Sequence, residues 1–292
     1  MKRLSLFVVL AVTVWFISLG AQAPGGSAVV KLDPALDQII STNAKLEMLK
    51  SDYFGISEGP VWIQEGQSGH LLFSDIAGNV IYKWTPDNKF SVFLEKAGWT
   101  GANVGDLVGY VANSGHLLLA NIGSNGITVD PQGRIVFTAQ GDRSIVRLEK
   151  DGKRTVIADR FEGKRLNRPN DLVVKSDGWV YFTDPRQANN PSIELPNAGV
   201  YRVKESNSDL QLLDKDIGPN GIAFSPDEKN LYVNGGGQIF RYDVQTNGTI
   251  ANRRLFIDPR AAGDKAPGNP DGMKVDRAGN LWSTGPGGIW II

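Results

Sequence analysis

Five polar residues recur at one position of a repeated unit in this sequence, and each carries a side-chain oxygen that could bind a cation. Each is followed by a small or acidic residue and then by a short apolar run. In chain order the five are Glu58, Asn125, Asn170, Asn220 and Asp271. Carboxylate and amide oxygens are hard ligands, which suit Ca²⁺, Mg²⁺ or Mn²⁺ rather than a soft metal. The pattern predicts a divalent-cation site, provided that the fold brings the five residues together.

A purely structural interpretation of these residues competes with the cation site. Asn-Gly and Asp-Gly are common turn pairs, so each could simply shape the entry to its strand. Glu58 argues against that interpretation, because glutamate is a poor turn residue and occupies the same slot. Two carboxylates brought together also repel each other unless a cation lies between them. Both interpretations stay open on the residues alone.

The repeated unit itself indicates which fold must position these side chains. After the polar residue come an apolar strand, a turn rich in Asp, Pro and Gly, and a second apolar strand. Third and fourth strands usually follow, as at Ser144–Leu148 and Arg154–Ala158. The repeats begin 45 to 51 residues apart, apart from a longer first interval of 67 residues. Four strands in about 40–50 residues are typical of β-propeller blades, whereas a β-solenoid has shorter repeats.

Composition excludes several classes of function. Lysine plus arginine equals aspartate plus glutamate at 31 each, so the chain lacks the basic excess of a nucleic-acid-binding protein. The absence of cysteine removes disulfides, thiolate metal sites and cysteine nucleophiles. No Gly-x-Ser-x-Gly element supports a serine hydrolase. His70 and His116 occupy matching strand-edge positions, where a structural role is the favoured interpretation.

The N-terminus has the features of an export signal. Lys2 and Arg3 precede an apolar run, and Ala21-Gln22-Ala23 resembles a cleavage site. We therefore expect residues 1–23 to be a signal peptide, 24–50 a linker or N-terminal segment, and 51–292 the β-propeller domain. An uncleaved membrane anchor is the alternative, and it would be the chain's only membrane contact. Either way the protein is expected to be exported, to the periplasm or the medium of a bacterium.

Four motifs in order resemble those of the gluconolactonase and senescence-marker (regucalcin) family, and within it the secreted bacterial gluconolactonases. The resemblance covers roughly residues 50 to 292. The motifs are Ser57-Glu58-Gly59-Pro60-Val61-Trp62, Asn167-Arg168-Pro169-Asn170-Asp171-Leu172, Gly218-Pro219-Asn220-Gly221-Ile222-Ala223-Phe224-Ser225 and Asn269-Pro270-Asp271-Gly272-Met273.

The resemblance implies a fold and a set of site residues. It implies an all-β, six-bladed β-propeller with one divalent cation at an end of its channel. Ca²⁺ is favoured, with Mg²⁺, Mn²⁺ or Zn²⁺ as alternatives. The residues that match the family's metal ligands are Glu58, Asn170, Asn220 and Asp271. Asp271 also matches the general base, and Arg168 matches a substrate-contacting arginine.

The resemblance also implies an activity, the hydrolysis of a sugar lactone to the aldonic acid. We expect the protein to act as a monomer. The cation would polarise the lactone carbonyl, and Asp271 would take a proton from the attacking water. Asn125 is expected on the cavity wall. The loop from Arg186 to Asn197 is expected to cover the site, and Arg186 is a candidate substrate contact, although a solvated arginine is the competing interpretation. A non-catalytic propeller that binds calcium or a carbohydrate is the alternative function.

The sequence departs from the family pattern in its last repeat. That repeat starts at Asp271 and reaches Ile292 inside its expected third strand, whereas family members continue through another repeat. An open propeller exposes strand edges, which favour aggregation. We therefore expect a propeller that is C-terminally truncated in its last blade or blades, with all four supposed metal ligands retained.

Overall fold

The computed structural model describes residues 29–51, 53–102, 111–113, 118–187, 192–261 and 266–292. The predicted signal peptide and His116 lie outside these residues. The chain divides into two compact units, 1–51 and 52–292. In the first unit, a 3₁₀-helix spans Pro34–Gln38 and is capped by Asp33, whose side chain accepts a hydrogen bond from the backbone N–H of Ala35. Within the described residues, no helix has the length and apolar character needed to cross a membrane.

The second unit is built from antiparallel sheets in which each strand pairs with the next along the chain. Blade 1 contains β1 (Ser57–Glu65), β2 (Ser68–Asp75), β3 (Val80–Thr85) and β4 (Lys89–Glu95). A two-stranded ribbon of β5 (Val111–Asn113) and β6 (Leu118–Ala120) follows. Blade 2 contains β7 (Ser124–Val129), β8 (Ile135–Ala139), β9 (Ser144–Leu148) and β10 (Arg154–Ala158). A short ribbon of β11 (Arg160–Phe161) and β12 (Lys164–Arg165) leads to the next blade.

The remaining sheets repeat this plan. Blade 3 contains β13 (Leu172–Val174), β14 (Val180–Asp184), β15 (Gly199–Val203) and β16 (Gln211–Asp214), with a 3₁₀-turn at Asn207–Asp209. Blade 4 contains β17 (Pro219–Phe224), β18 (Asn230–Gly235), β19 (Gln238–Val244) and β20 (Ile250–Ile257). Blade 5 contains three strands, β21 (Met273–Val275), β22 (Leu281–Gly285) and β23 (Gly288–Ile291). The described residues are therefore almost entirely β-structure arranged as propeller blades, as the repeat predicts.

The predicted number of blades is wrong for the described residues, which form five blades and not six. The long interval between Glu58 and Asn125 was the place where part of another blade could lie. Its described residues supply the outer strands of blade 1 and the β5–β6 ribbon. Two short strands cannot cover the faces of neighbouring blades as a four-stranded sheet does. The expected C-terminal truncation stays a prediction.

The hydrophobic core consists of layers between consecutive blades. Ile127 and Phe137 of blade 2 pack with Leu72 and Ile81 of blade 1. Similar layers join blade 2 to blade 3, blade 3 to blade 4 and blade 4 to blade 5. Blades 2, 3 and 4 pack against a neighbour on both faces, and strands such as β8 are buried at every position, whereas β22 in blade 5 alternates between buried and half-buried residues. This packing places the first strands β1, β7, β13, β17 and β21 side by side in chain order.

Candidate active site

Three of the five recurring polar residues lie where the innermost strands lose their regular register, whereas Asn170 and Asp271 lie two residues before β13 and β21. The pairing of β1 with β2 shifts between Glu58 and Val61, and that of β7 with β8 shifts between Ser124 and Ile127. A third shift lies between Pro219 and Ile222. Such β-bulges re-aim side chains and are frequent beside active sites. Asn125-Gly126 and Asn220-Gly221 therefore lie inside strands, and interpreting them as tight turns is wrong.

The glycine after the polar residue is required by close contact between blades. A Cβ atom at Gly59, where φ is +57°, would lie 2.0 Å from the carbonyl oxygen of Asn125. A Cβ atom at Gly221 would lie 2.0 Å from the carbonyl oxygen of Asp271. No real side chain tolerates that distance to a backbone oxygen. Glycine thus lets one blade's bulge touch the next blade's polar residue, which brings the polar side chains to one axis.

A hydrogen bond from the preceding blade holds the carbonyl of four of the five polar residues. In each case the donor is a hydroxyl or amide near the end of the second strand. We call these the inter-blade hydrogen bonds. They run from Ser74 Oγ to Asn125 O (2.8 Å), from Thr138 Oγ1 to Asn170 O (2.9 Å), from Thr183 Oγ1 to Asn220 O and from Asn234 Nδ2 to Asp271 O. Backbone contacts between blades therefore fix the positions from which the polar side chains project.

One cavity of about 340 Å³ collects most of these side chains. Its lining includes Glu58, Asn125, Asn170 and Asp271. Asn220 joins this group through a side-chain hydrogen bond to Asp271. The structure thus brings together the five residues that the repeat singled out, and their individual roles stay predictions.

The two acidic members of the group hold protons more tightly than exposed carboxyls do. Burial, with the charges of Asp271 and Asp171 adding to it, raises the pKa of Glu58 to about 7, while Lys274 and Arg168 act in the opposite direction. Burial and the charge of Asp171 also raise the pKa of Asp271, against the hydrogen bond from Asn220. Burial and the nearby acids therefore outweigh the nearby basic side chains and disfavour the ionised forms of Glu58 and Asp271.

Asp171 and Lys274 belong to the site, and sequence reasoning missed both of them. Asp171 lines the cavity and is buried; its Oδ1 accepts a hydrogen bond from Leu172 N at 2.9 Å. Lys274 Nζ lies 3.8 Å from the same oxygen. The available signal was Asp171 itself, an acid where the other repeats have glycine.

The donor set fits a hard divalent cation. Among the described residues, no three or more His, Cys, Asp or Glu side chains could hold a metal ion by themselves. The cavity instead mixes carboxylates with amides. Asn220 Oδ1 is buried and has no hydrogen-bond partner within the described chain. An orphaned amide oxygen beside carboxylates that repel each other is the environment that a bound cation would stabilise.

The two arginines predicted to contact substrate differ in their placement. Arg168 is close enough to Glu58 to lower its pKa, and its backbone N–H donates to Asp184 Oδ1 at 2.6 Å. Arg186 is exposed, and neither arginine is among the residues that line the cavity. Residues 188–191 of the loop that follows lie outside the described chain. His70, which is buried on β2, does not line the cavity either.

Comparison with known proteins adds a family to this geometry. Residues 56–292 match the model of the SMP-30/Gluconolactonase/LRE-like region. A gluconolactonase of Zymomonas mobilis is 36% identical over 277 residues, which cover 90% of this chain and 74% of that protein. A solved gluconolactonase of Xanthomonas campestris superimposes with a TM-score of 0.63 at 34% identity, covering 81% of this chain and 72% of that one. Regucalcin of Xenopus laevis is 28% identical and covers 82% and 72%, respectively.

Proposed function

The chain belongs to the SMP-30/gluconolactonase/LRE-like family, and from this premise we propose that it is a metal-dependent hydrolase of sugar lactones. The observation that carries the proposal is the cavity in which Glu58, Asp271 and an orphaned amide oxygen of Asn220 meet. That arrangement occurs in a chain 36% identical to a gluconolactonase. A gluconolactone-like ring is the substrate class that follows, with the aldonic acid as product.

Glu58, Asn170, Asn220 and Asp271 would hold one divalent cation. Their oxygens favour Ca²⁺, with Mg²⁺, Mn²⁺ or Zn²⁺ as alternatives. When bound, the cation supplies Lewis-acid polarisation of the lactone carbonyl and charge for the oxyanion that develops there. The buried carboxylates would balance that charge, which explains why the protein concentrates them in the cavity.

Asp271 is the proposed general base. Its raised pKa makes it a better proton acceptor than an exposed aspartate once it is ionised. It would take a proton from a water molecule whose oxygen bonds to the carbonyl carbon. The bond between that carbon and the ring oxygen then breaks, and the ring oxygen leaves as a hydroxyl after receiving the proton. The product is the open hydroxy acid.

Three further residues are proposed to contact the substrate. Asn125 lies on the cavity wall. Arg168 is proposed because it lies near Glu58 and matches the family's substrate-contacting arginine. Arg186 is proposed for the outer rim, because it is exposed and is the first residue of the loop that runs to Asn197. The proposal includes export of the enzyme to the periplasm or the medium, on the strength of the N-terminal sequence.

A lactone panel assayed with and without chelator tests the proposal. We expect hydrolysis of an aldonolactone by the purified protein, loss of activity with EDTA, and recovery on adding Ca²⁺ or another divalent ion. Cation binding without hydrolysis of any aldonolactone would overturn the enzyme assignment in favour of a calcium- or carbohydrate-binding propeller. Activity that survives complete chelation would overturn the metal dependence.

A further inference from the structure

Two buried aspartates occupy the same place in blades 1 and 3, at the ends of β2 and β14. Asp75 Oδ1 accepts hydrogen bonds from the backbone N–H groups of Gly55 (3.2 Å) and Ile56 (3.4 Å). Asp184 accepts from those of Asn167 (2.8 Å) and Arg168 (2.6 Å). In both blades the donors lie three and two residues before a polar site residue. These residues are Glu58 in blade 1 and Asn170 in blade 3.

The other blades are built without this carboxylate. The corresponding residues after the second-strand hydroxyl or amide are Ala139, Gly235 and Gly285. A propeller blade therefore does not require an acid at this position. Asp75 and Asp184 are only 4% and 0% exposed, and burying a carboxylate costs free energy that its hydrogen bonds must offset. Their selective presence in blades 1 and 3 calls for a reason beyond blade folding.

The bonds restrict the segments that lead into the site. Each carboxylate accepts hydrogen bonds from two consecutive N–H groups, which lie three and two residues before the site residue. Asp75 Oδ1 also accepts from Gly78 N at 2.9 Å, so it joins the approach segment of blade 1 to the following turn. Asp184 binds the backbone of Arg168 itself. The hydrogen bonds to Asp75 therefore restrict Glu58 alone. Those to Asp184 restrict both Asn170 and Arg168.

We propose that Asp75 and Asp184 are positioning residues, which fix Glu58 and the Arg168–Asn170 segment, respectively, in the geometry that the site needs. This inference rests on the proposed function. Partners that orient metal ligands without touching the metal typically contribute 10–100-fold to its affinity. Asp75 therefore supports the cation, whereas Asp184 supports both the cation and the substrate contacts of Arg168.

The experiment compares Asp75→Asn and Asp184→Asn with the matched control Asp130→Asn. Asp130 is likewise buried, and its carboxylate accepts hydrogen bonds from the backbone N–H groups of Gln132 (3.0 Å) and Arg134 (2.8 Å). It follows the opposite end of β7, away from the cavity. Ca²⁺ binding is measured by calorimetry, Tm by thermal unfolding, and KM for gluconolactone at saturating Ca²⁺.

We expect all three variants to lower Tm. Only the two positioning variants should weaken Ca²⁺ binding, by about 10-fold or more. Asp184→Asn should also raise KM, whereas Asp75→Asn should leave KM unchanged at saturating Ca²⁺. Should either asparagine variant fail to fold, a serine at the same position replaces it in the comparison.

The outcomes separate this inference from the proposed function. Weakened Ca²⁺ binding in the variants of a protein that hydrolyses no lactone would leave the positioning role standing and remove the lactonase function. An active wild-type protein whose variants lose only Tm, as the Asp130 control does, would overturn the positioning role. A wild-type protein that binds no Ca²⁺ would overturn it as well.

Discussion

Carboxylates at the two ends of the innermost strands lie in opposite electrostatic environments. Beyond one end lie the turns to the second strands, where Asp130, Asp177, Asp227 and Asp276 each accept hydrogen bonds from nearby backbone N–H groups. Hydrogen bonds and the charge of Lys229 hold the pKa of Asp227 below its usual range, and hydrogen bonds lower the pKa of Asp276 to about 2. At the other end, burial and mutual repulsion raise the pKa values of Glu58 and Asp271.

This difference in environment indicates different roles for the carboxylates at the two ends. A turn carboxylate that is fully hydrogen-bonded stabilises the folded chain in its ionised form. A cavity carboxylate that is buried near other acids opposes folding in its ionised form until positive charge reaches it. An innermost strand can therefore have a carboxylate that stabilises the fold at one end and a carboxylate that destabilises it at the other. Function is expected at the end with the destabilising carboxylate.

The largest expected effect comes from Asp271→Asn, which removes one cavity carboxylate without changing its size. Loss of a general base should lower kcat/KM for gluconolactone by about 10²–10⁴-fold, and loss of a ligand charge should weaken Ca²⁺ binding too. Steady-state kinetics and calorimetry measure the two effects.

Asp227→Asn at the turn end is the control for this substitution. It makes the same chemical change to a carboxylate that accepts from Ser225 Oγ at 2.6 Å and does not line the cavity. It should leave kcat/KM unchanged. Comparable losses in both variants would contradict the contrast between the two ends.

A second expected effect concerns the pH dependence of Glu58. Its pKa is about 7 in the folded protein and 4.5 in an exposed, unfolded chain, so the neutral form is favoured by folding. Its contribution to stability is therefore fully present below pH 4.5 and is lost as pH rises through about 7. For the cation-free protein this amounts to at most about 3 kcal/mol.

Glu58→Gln should remove that pH dependence. Relative to the wild-type protein, the cation-free variant should gain stability between pH 5 and pH 8, as chemical denaturation at the two pH values can measure. Wild-type Ca²⁺ affinity should rise over the same range, because the cation competes with the proton. An identical stability difference at both pH values would sink the assignment of a raised pKa.

A smaller effect is expected at the inter-blade hydrogen bonds. Thr183→Val keeps the shape of the side chain and removes the hydroxyl that donates to the carbonyl of Asn220. Leaving that carbonyl without its donor should cost about 1–3 kcal/mol and weaken Ca²⁺ binding several-fold. Thr183→Ser restores the donor and should recover most of the affinity. If serine fails to recover it, packing of the methyl group is the cause, and the hydrogen bond is not.

The smallest expected effect is at the turn end. Asp276 accepts hydrogen bonds from Ala278 N and Asn280 N, both at 2.9 Å, and its lowered pKa means that folding favours the ionised form. Its contribution is therefore present above pH 3.8 and is lost as pH falls through about 2. Asp276→Asn should lower Tm at pH 7 and make little difference near pH 2. A Tm difference that is larger at pH 2 would reverse the assigned sign.

Sequence predicted the parts of this fold that repeat locally. The strand at Ser144–Leu148 has its predicted bounds, because a short apolar run between a Gly141-Asp142 turn and an Asp151-Gly152 turn is a local signal. The shared position of the polar residues was also visible, since an apolar run follows it in every repeat. The number of blades could not be predicted from the sequence. It was carried over from the family, and no local pattern in the interval from Glu58 to Asn125 specifies it.

The site features that sequence missed depend on contacts between blades. Asn125-Gly126 looks like a turn pair in isolation, and only the approach of the next blade makes it a bulge. Asp171 looks like a variant of a glycine slot until its carboxylate is seen in the cavity. Asp75 and Asp184 end ordinary strands, and their partners are 16 to 20 residues away in sequence.

The inter-blade hydrogen bonds also bear on how the molecule acquires its activity as it folds. Their partners are separated by 51, 32, 37 and 37 residues, so each bond forms only after a long loop has closed. Contacts of that range make folding slow compared with a helical protein of similar stability. Single blades can form their hairpins early, yet the cavity has no fixed shape until neighbouring blades have docked. Binding of the proposed cation should therefore be a late event in folding, and its kinetics would report when the last neighbouring blades have docked.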